Sequence, residues 1–340
     1  MKSVNKIFLQ IIKFFIIIMF IILLLETLLR ISDRNCYSFL PIYFEKEHST
    51  LIKNDSFCVK YTGHPKSTYK TNKYGMRIHN NETDKTNNKN LLIGDSQAMG
   101  YGINFNDHFL YKYLQNNNLG NLEILAAPHN DLESISSFVK INNFNFNEYK
   151  KIFIMFNLGV DLDRFVFGWQ DNWNISNSYK EIQLSKMLRI YPYIKNIYLK
   201  FKKYHFTFRP SINPYLDYLS DQEINYLISE IMIQYFSFIN KNEIINYEFI
   251  IIAPAWYIDK KQINKYEHYY SKSEFDNLKK NYYYYEKSLD KHLDFFRKAF
   301  KNNNVRYKLI DKNIYYGTDL FQSNNYHLNI SGHKKISDVL

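Results

Sequence analysis

NLLIGDSQAMGYG (90–102) begins as an apolar run typical of a buried strand and passes, through a glycine, into an Asp-Ser pair. Further short apolar runs follow along the chain. The predicted strands are Asn90–Gly94, Leu122–Ala127, Ile152–Phe156, Glu248–Ala253 and Val305–Ile310. The amphipathic segments between them lie at about 105–118, 131–143, 177–204, 221–240 and 272–302. Because apolar strands that alternate with helices are buried on both faces, this pattern predicts an α/β fold with a parallel sheet of about five strands covered by helices on both sides.

The composition indicates a globular chain with a large core. Of the 340 residues, 46% are hydrophobic and 18% aromatic, which excludes a disordered chain. Two cysteines are too few for a disulfide scaffold or a zinc site with four cysteine ligands. Roughly 90 residues separate the third predicted strand from the fourth, far more than one crossover helix needs, so we expect a helical insertion at about 165–245.

The segment IFLQIIKFFIIIMFIILLL (7–25) contains an unbroken apolar run from Phe14 to Leu25. A helix needs about 20 apolar residues to cross a bilayer. Basic residues concentrate before the run, which predicts a cytoplasmic N-terminus and an extracytoplasmic main domain. A cleaved signal peptide is the competing interpretation, but Glu26–Arg30 lacks the small residues of a cleavage site. We therefore expect a single-pass protein of the bacterial inner (cytoplasmic) membrane, with an anchor at 1–30, a juxtamembrane segment at 31–85 and a main domain at 86–340.

This topology affects how the cysteines and the net charge are interpreted. Cys36 and Cys58 would face an oxidising compartment, where they form either a disulfide or two free thiols. The formal net charge is +11. A basic chain outside the cytoplasm is not expected to bind nucleic acid, so anionic glycans or lipid headgroups are the better partners. Codon bias of an AT-rich genome is a plainer explanation of the many lysines.

Two residues far apart in the chain are candidates for chemistry. Ser96 follows the first predicted strand, where the N–H groups of the next helix can stabilise negative charge; as an alternative, it is only a helix N-cap. His327 stands just before an apolar C-terminal helix. In a parallel α/β fold both can lie at the same edge of the sheet. A zinc hydrolase that uses His129, His327 or His333 is not favoured, because no helical His-x₃-His pair is present. We predict no metal and no cofactor.

Several motifs together resemble a known family. LIGDSQAMGYGI (92–103), the apolar strand at 122–127, GVDL (159–162) and NNYHLNISGH (324–333) fall in the order of the four blocks of the SGNH/GDSL hydrolase family. TNKYGMR (71–77) resembles the Asn-x-x-Gly-Phe-Arg element of its membrane-anchored members. The resemblance covers about residues 70–160 and 305–340. It implies a three-layer, flavodoxin-like α/β/α fold and the hydrolysis or transfer of acyl esters.

The resemblance also implies roles for single residues. Ser96 is the nucleophile, its N–H is an oxyanion donor, and His327 is the base. The predicted oxyanion or substrate-binding residues are Asp95, His129, Asn130, Gly159 and Asp161.

The chain departs from the family pattern at three places. Asn324 stands where the family has its catalytic Asp, although Asp319 is an alternative partner of the histidine. The glycine block reads Ala127-Pro128-His129-Asn130. The Gly-x-Asn-Asp block reads Gly159-Val160-Asp161-Leu162, and Asn157 or Asn130 are possible substitutes for its lost asparagine.

The predicted function is therefore a membrane-anchored, extracytoplasmic ester hydrolase or O-acyltransferase that acts on acylated cell-surface glycans and contacts the lipid bilayer through residues 7–25. The alternative is a catalytically impaired domain that binds a glycan or scaffolds an envelope assembly. The altered blocks favour the alternative, whereas the presence of both Ser96 and His327 favours the enzyme. The sequence predicts no oligomeric state.

Overall fold

The computed structural model describes residues 2–32, 36–37, 40–45, 48–60, 66–79, 88–128, 130–157, 220–252, 272, 276, 293–310 and 327–340. The strands are β1 (Cys36–Tyr37), β2 (Ile42–Glu45), β3 (His48–Leu51), β4 (Ser56–Val59), β5 (Ser67–Thr71), β6 (Arg77–Ile78), β7 (Lys89–Gly94), β8 (Asn121–Ala126), β9 (Lys151–Asn157), β10 (Tyr247–Ile252) and β11 (Tyr307–Leu309). The helices are α1 (Lys2–Ser32), α2 (Ser96–Met99), α3 (Phe109–Asn116), α4 (Leu132–Asn142), α5 (Asp221–Lys241) and α6 (Ile330–Ser337), and residues 293–302 are also helical.

The five predicted strands are β7 to β11, and they lie side by side in the order β8-β7-β9-β10-β11. All four pairings among them are parallel. Numbered along the chain, these strands have the order 2-1-3-4-5, which is common among doubly wound α/β sheets. The predicted α/β chain with a mainly parallel sheet is therefore confirmed.

The predicted number of strands is wrong, because the main sheet has nine strands within the described residues. The added strands continue the sheet beyond β8 in the order β6, β5, β4, β1. β6 pairs antiparallel with β8, β5 pairs antiparallel with β6, and β4 pairs antiparallel with β5. β1 then pairs parallel with β4. Residues 36–78 thus supply strands to the sheet that carries Ser96.

The centre of the sheet is buried on both faces, as the apolar runs predict. Leu91, Leu92 and Ile93 of β7 are at most 1% exposed. Burial of one such side chain stabilises the fold by about 1.5–3 kcal/mol. Helix α3 packs on β8, and α6 packs in turn on α3. The C-terminal residues are therefore held close to the strands that flank Ser96.

The outer strands are joined by a covalent bond. Cys36 of β1 and Cys58 of β4 are opposite each other in the sheet and form a disulfide, with their Cα atoms 4.4 Å apart. A second, two-stranded sheet consists of the antiparallel hairpin β2–β3, on which α4 packs.

Helix α1 exposes many large apolar side chains. Phe14, Phe15 and Phe20 are between 62% and 67% exposed, and the exposed apolar positions extend from Ile12 to Ile31. Over the side chains that the structure describes, no helix reaches the length and apolar character needed to cross a membrane.

Helix α5 coincides with the amphipathic segment predicted at 221–240. A capping box begins it: Ser220 Oγ accepts from the N–H of Glu223, and the carboxylate of Glu223 accepts from the N–H of Ser220. Of the predicted insertion at 165–245, the part before residue 220 lies outside the described residues, as does the predicted helix at 177–204.

Candidate active site

Ser96 lies at the junction between β7 and α2. Asp95 has an extended conformation (φ −90°, ψ −158°), and the helix begins at Ser96. The Asp95 Oδ1 atom accepts hydrogen bonds from the N–H groups of Gln97 (2.8 Å) and Ala98 (3.4 Å), so Asp95 is the N-cap. The alternative in which Ser96 is only a helix N-cap is therefore wrong. Ser96 is instead the first helical residue, and it is 6% exposed.

The junction requires glycine at position 94. A Cβ atom there would lie 2.6 Å from the Cβ of Ala98 and 3.2 Å from the Cβ of Met155. Helix α2 thus turns back closely over the end of its own strand, and a larger residue would push Ser96 away from the sheet.

Asp95 also joins β7 to β9. Its Oδ2 atom accepts a hydrogen bond of 3.1 Å from Nδ2 of Asn157, the last residue of β9. Both side chains are buried. β7 and β9 flank the point at which the strand order reverses, where open α/β sheets bind ligands. Since both carboxylate oxygens of Asp95 accept hydrogen bonds from the protein, the structure favours a positioning role for Asp95 over the predicted contact with substrate.

The segment that carries His327 lies against the segment that carries Ser96. The N–H of Leu328 donates to Oε1 of Gln97 at 3.3 Å, although the two residues are 231 positions apart in the chain. The ring of Tyr101 stacks on the ring of His327, with centroids 4.4 Å apart and planes 20° apart. The two predicted blocks therefore meet at one edge of the sheet.

The residues after His327 begin the last helix. Asn329 is the N-cap of α6, and its side chain accepts from the N–H of Gly332 at 2.9 Å. The His-Leu-Asn motif therefore combines the candidate base, a buried leucine and a helix cap. Because α6 packs on α3, this cap fixes where the chain leaves the site.

The turn after α2 is held by Arg77, which is fully buried. Its Nη1 atom donates to the carbonyl oxygens of Met99 (2.8 Å) and Gly100 (3.0 Å), and Nη2 donates to those of Ile103 (2.6 Å) and Thr68 (3.3 Å). The guanidinium also lies 4.2 Å from the centre of the Tyr69 ring. The bonds to Met99 and Gly100 stabilise carbonyl groups at the end of α2, which is too short to supply helical partners for them.

The structure explains the spacing of the Asn-x-x-Gly-x-Arg element. Asn72 Oδ1 accepts from the N–H groups of Tyr74 and Met76, which forms the turn between β5 and β6. Gly75 has φ +76°, and a Cβ atom there would lie 2.4 Å from the carbonyl oxygen of Leu51. The turn directs the chain into β6, whose first residue is Arg77. The sequence motif indicates this element but does not indicate a role for its arginine.

Two buried histidines lie side by side, and one of them, His108, contacts the end of α2. His108 Nε2 donates to the carbonyl oxygen of Ala98 at 2.7 Å, and its Nδ1 accepts from the N–H of Leu110. Burial, and then the charge of Arg77, lower the pKa of His108 to about 3, although the bond to Ala98 acts in the opposite direction. Burial is also the main cause that lowers the pKa of His333 well below its usual value. His333 Nδ1 accepts from the N–H of Phe109, so both rings serve as neutral structural groups.

Asn130 holds the β2–β3 hairpin against the loop after β8. Its Oδ1 accepts from the N–H and the hydroxyl of Ser49, and its Nδ2 donates to the carbonyl oxygen of Ser49. This engagement favours a structural role over the predicted oxyanion or substrate contact.

The other predicted site residues, Asn324, His129, Gly159 and Asp161, lie outside the described residues, as does Asp319. Within the part of the chain that the structure describes, no cluster of three or more His, Cys, Asp or Glu side chains could hold a metal ion.

Comparisons with known proteins identify no family. No family model and no curated protein matches the chain. Among solved structures, a mutant of an acetyl-xylooligosaccharide esterase from Geobacillus Stearmophilus aligns with 74% of this chain and 91% of its own, with 11% sequence identity and a TM-score of 0.35.

Proposed function

We propose that this protein is a serine esterase or O-acyltransferase of the SGNH/GDSL type, with the flavodoxin-like α/β/α architecture that this implies. The observation that carries the proposal is the contact between Gln97 and Leu328, which places the serine and histidine segments side by side at the strand-order reversal. The Tyr101–His327 stack supports it independently.

In the proposed reaction, Ser96 Oγ attacks the carbonyl carbon of an ester while His327 takes the hydroxyl proton. The negative charge on the carbonyl oxygen is stabilised by the N–H of Ser96 at the start of α2. His327 then gives the proton to the departing alcohol oxygen, and the acyl group stays on Ser96. Water, or the hydroxyl of an acceptor, attacks this ester in a second step, and the serine regains its proton.

Asn324 is the proposed partner of His327 on the side away from the serine. An amide oxygen can accept from the Nδ1–H of an imidazole, but it carries no charge to stabilise the imidazolium. We therefore expect a slow enzyme, since the comparable loss of an aspartate in serine proteases lowers kcat about 10⁴-fold.

We further propose that α1 anchors the protein in the bacterial inner membrane, with the main domain outside the cytoplasm and acylated cell-surface glycans as substrates. The exposed apolar side chains between Ile12 and Ile31 support the anchor. The disulfide between Cys36 and Cys58 supports an oxidising compartment. The class of substrate rests on this location.

The experiment is labelling of the full chain, purified in detergent, with a serine-reactive fluorophosphonate. We expect one labelled residue, Ser96, and turnover of an acetyl ester. Ser96→Ala should abolish both, whereas Ser136→Ala, which removes an exposed hydroxyl on α4, should leave both unchanged. His327→Gln should slow labelling at least tenfold.

Two results would overturn the enzyme proposal. One is a wild-type chain that is neither labelled nor active, which would favour the catalytically impaired, glycan-binding alternative. The other is labelling that persists in Ser96→Ala. If the protein is active, the ratio of acyl transfer to hydrolysis, measured with an added sugar acceptor, separates the transferase from the esterase.

A further inference from the structure

The turn Gly100–Ile103 connects a buried arginine to the candidate base. Its carbonyl groups receive hydrogen bonds from Arg77, and the N–H of Gly102 donates to the hydroxyl oxygen of Tyr69 at 2.8 Å. Within the turn, Tyr101 projects its ring onto the ring of His327. A single chain of contacts thus leads from β6 to the imidazole.

The close approach of Arg77 depends on glycine at position 100. Gly100 has φ +72°, and a Cβ atom there would lie 2.7 Å from Cδ2 of His108 and 3.1 Å from Nη1 of Arg77. The turn is therefore shaped around the guanidinium. A lysine at position 77 would keep the charge but lose the planar fork that donates to several oxygens at once.

The stacked ring of Tyr101 restricts the tilt of the imidazole, because tilting would break the face-to-face contact. His327 is only 7% exposed, and Tyr101 covers one of its faces. If the turn moves, the Tyr101 ring moves with it, and the imidazole loses that cover.

We propose that Arg77 is a positioning residue for His327, acting through the turn Gly100–Ile103 and the ring of Tyr101. That the oriented imidazole is a catalytic base rests on the proposed function, but the positioning relationship itself does not. The strands added to the sheet by residues 36–78 would then help to build the site, and would do more than cover the edge at β8.

The test measures how fast diethyl pyrocarbonate modifies His327 at pH 7 in the full chain, by mass spectrometry of the His327 peptide against an added histidine peptide. Tyr101→Leu should raise the rate at least threefold, whereas Tyr101→Phe, which keeps the ring, should stay within twofold of wild type. Arg77→Lys should raise the rate as Tyr101→Leu does. The double variant should be no faster than Tyr101→Leu alone, because both changes act on the same contact.

A second variant keeps the test decisive if Arg77→Lys fails to fold. Tyr69→Phe removes only the hydroxyl that accepts from Gly102, and it should raise the rate by a smaller factor. The matched control is Tyr149→Phe, which removes a hydroxyl bonded to Glu123 and should leave the rate unchanged.

The proposal is overturned if Tyr101→Leu does not change the rate, if folded Arg77→Lys does not, or if the double variant shows the product of the two single effects. Where Arg77→Lys is unfolded, an unchanged rate in Tyr69→Phe overturns it. The measurement reports access to the ring and not turnover. A chain that fluorophosphonate does not label but that shows the expected rates would refute the proposed function and leave the positioning role intact.

Discussion

Asp95 and Asn157 join the ends of two neighbouring parallel strands through one buried hydrogen bond of 3.1 Å. The same carboxylate caps the helix that begins at Ser96. One side chain therefore sets both the spacing of β7 and β9 at their ends and the start of α2, so that the position of Ser96 depends on the side chain of Asn157.

Asn157→Leu should destabilise the fold and slow labelling of Ser96. The substitution keeps the size of the side chain but removes the donor to a buried carboxylate oxygen, which costs about 1–3 kcal/mol or more. Chemical denaturation in detergent measures this loss. Asn117→Leu, which removes one hydrogen bond at an exposed helix end, is the control and should have a smaller effect. Equal losses of unfolding free energy in the two variants would show that the Asp95–Asn157 bond contributes no more to stability than an exposed hydrogen bond does.

Gly94→Ala should lower the free energy of unfolding by about 1–3 kcal/mol, because the new methyl group overlaps the Cβ of Ala98. Adding Ala98→Gly removes that overlap and should restore part of the loss, even though glycine in a helix costs about 1 kcal/mol. Thermal unfolding and the labelling rate of Ser96 check both variants. A double variant that is as destabilised as the sum of its singles would contradict this account of the junction.

The buried His108 should make stability fall as the pH is lowered from about 6.5. The unfolded chain binds a proton on His108 below its usual pKa of 6.5, whereas the folded chain does so only near its lowered pKa of about 3. In this window the unfolded state holds more protons, so the free energy of unfolding decreases by at most about 1.4 kcal/mol per pH unit from this residue.

His108→Gln keeps a nitrogen donor for the carbonyl of Ala98 but cannot titrate. Its free energy of unfolding, measured between pH 6.5 and 5, should therefore fall less steeply than that of wild type. The difference in slope should be at most about 1.4 kcal/mol per pH unit, which corresponds to the binding of one proton. Equal slopes for the two proteins would show that His108 does not contribute to the pH dependence of stability.

Asn324→Asp should raise the labelling and turnover rates at least tenfold if residue 324 faces the imidazole, since a carboxylate stabilises the imidazolium. Asn325→Asp adds the same charge one position later and is the matched control. An equal gain from both would indicate a general effect of charge, and no gain from either would point to another partner such as Asp319.

The central strands could be predicted because their signal is local. Each is an unbroken apolar run, such as Ile152–Phe156, that can be stable only when buried on both faces. The added strands carry no such signal. β5, for example, reads STYKT, with polar residues at most positions, and β1 and β6 are two residues long.

The sequence predicts the reactive side chains of the candidate site but not the contacts that hold them in place. Ser96 and His327 could be named as candidates because only a few residue types can serve as a nucleophile or a base. The role of Arg77 depends on carbonyl groups between Met99 and Ile103. Because every residue has a backbone carbonyl group, the sequence does not indicate which of them accept hydrogen bonds from Arg77. Similarly, the attachment of Asn130 to Ser49 joins residues 81 positions apart.

Helix α1 ends at Ser32 and β1 begins at Cys36, so an extended chain of this length spans at most about 14 Å. Five strand spacings, about 24 Å in all, then separate β1 from β7. Ser96, the proposed nucleophile, therefore lies within roughly 4 nm of the end of α1, measured across the sheet. An esterase anchored through α1, as proposed, would reach only acyl groups displayed close to its own point of attachment, and distant ones would have to be brought to it.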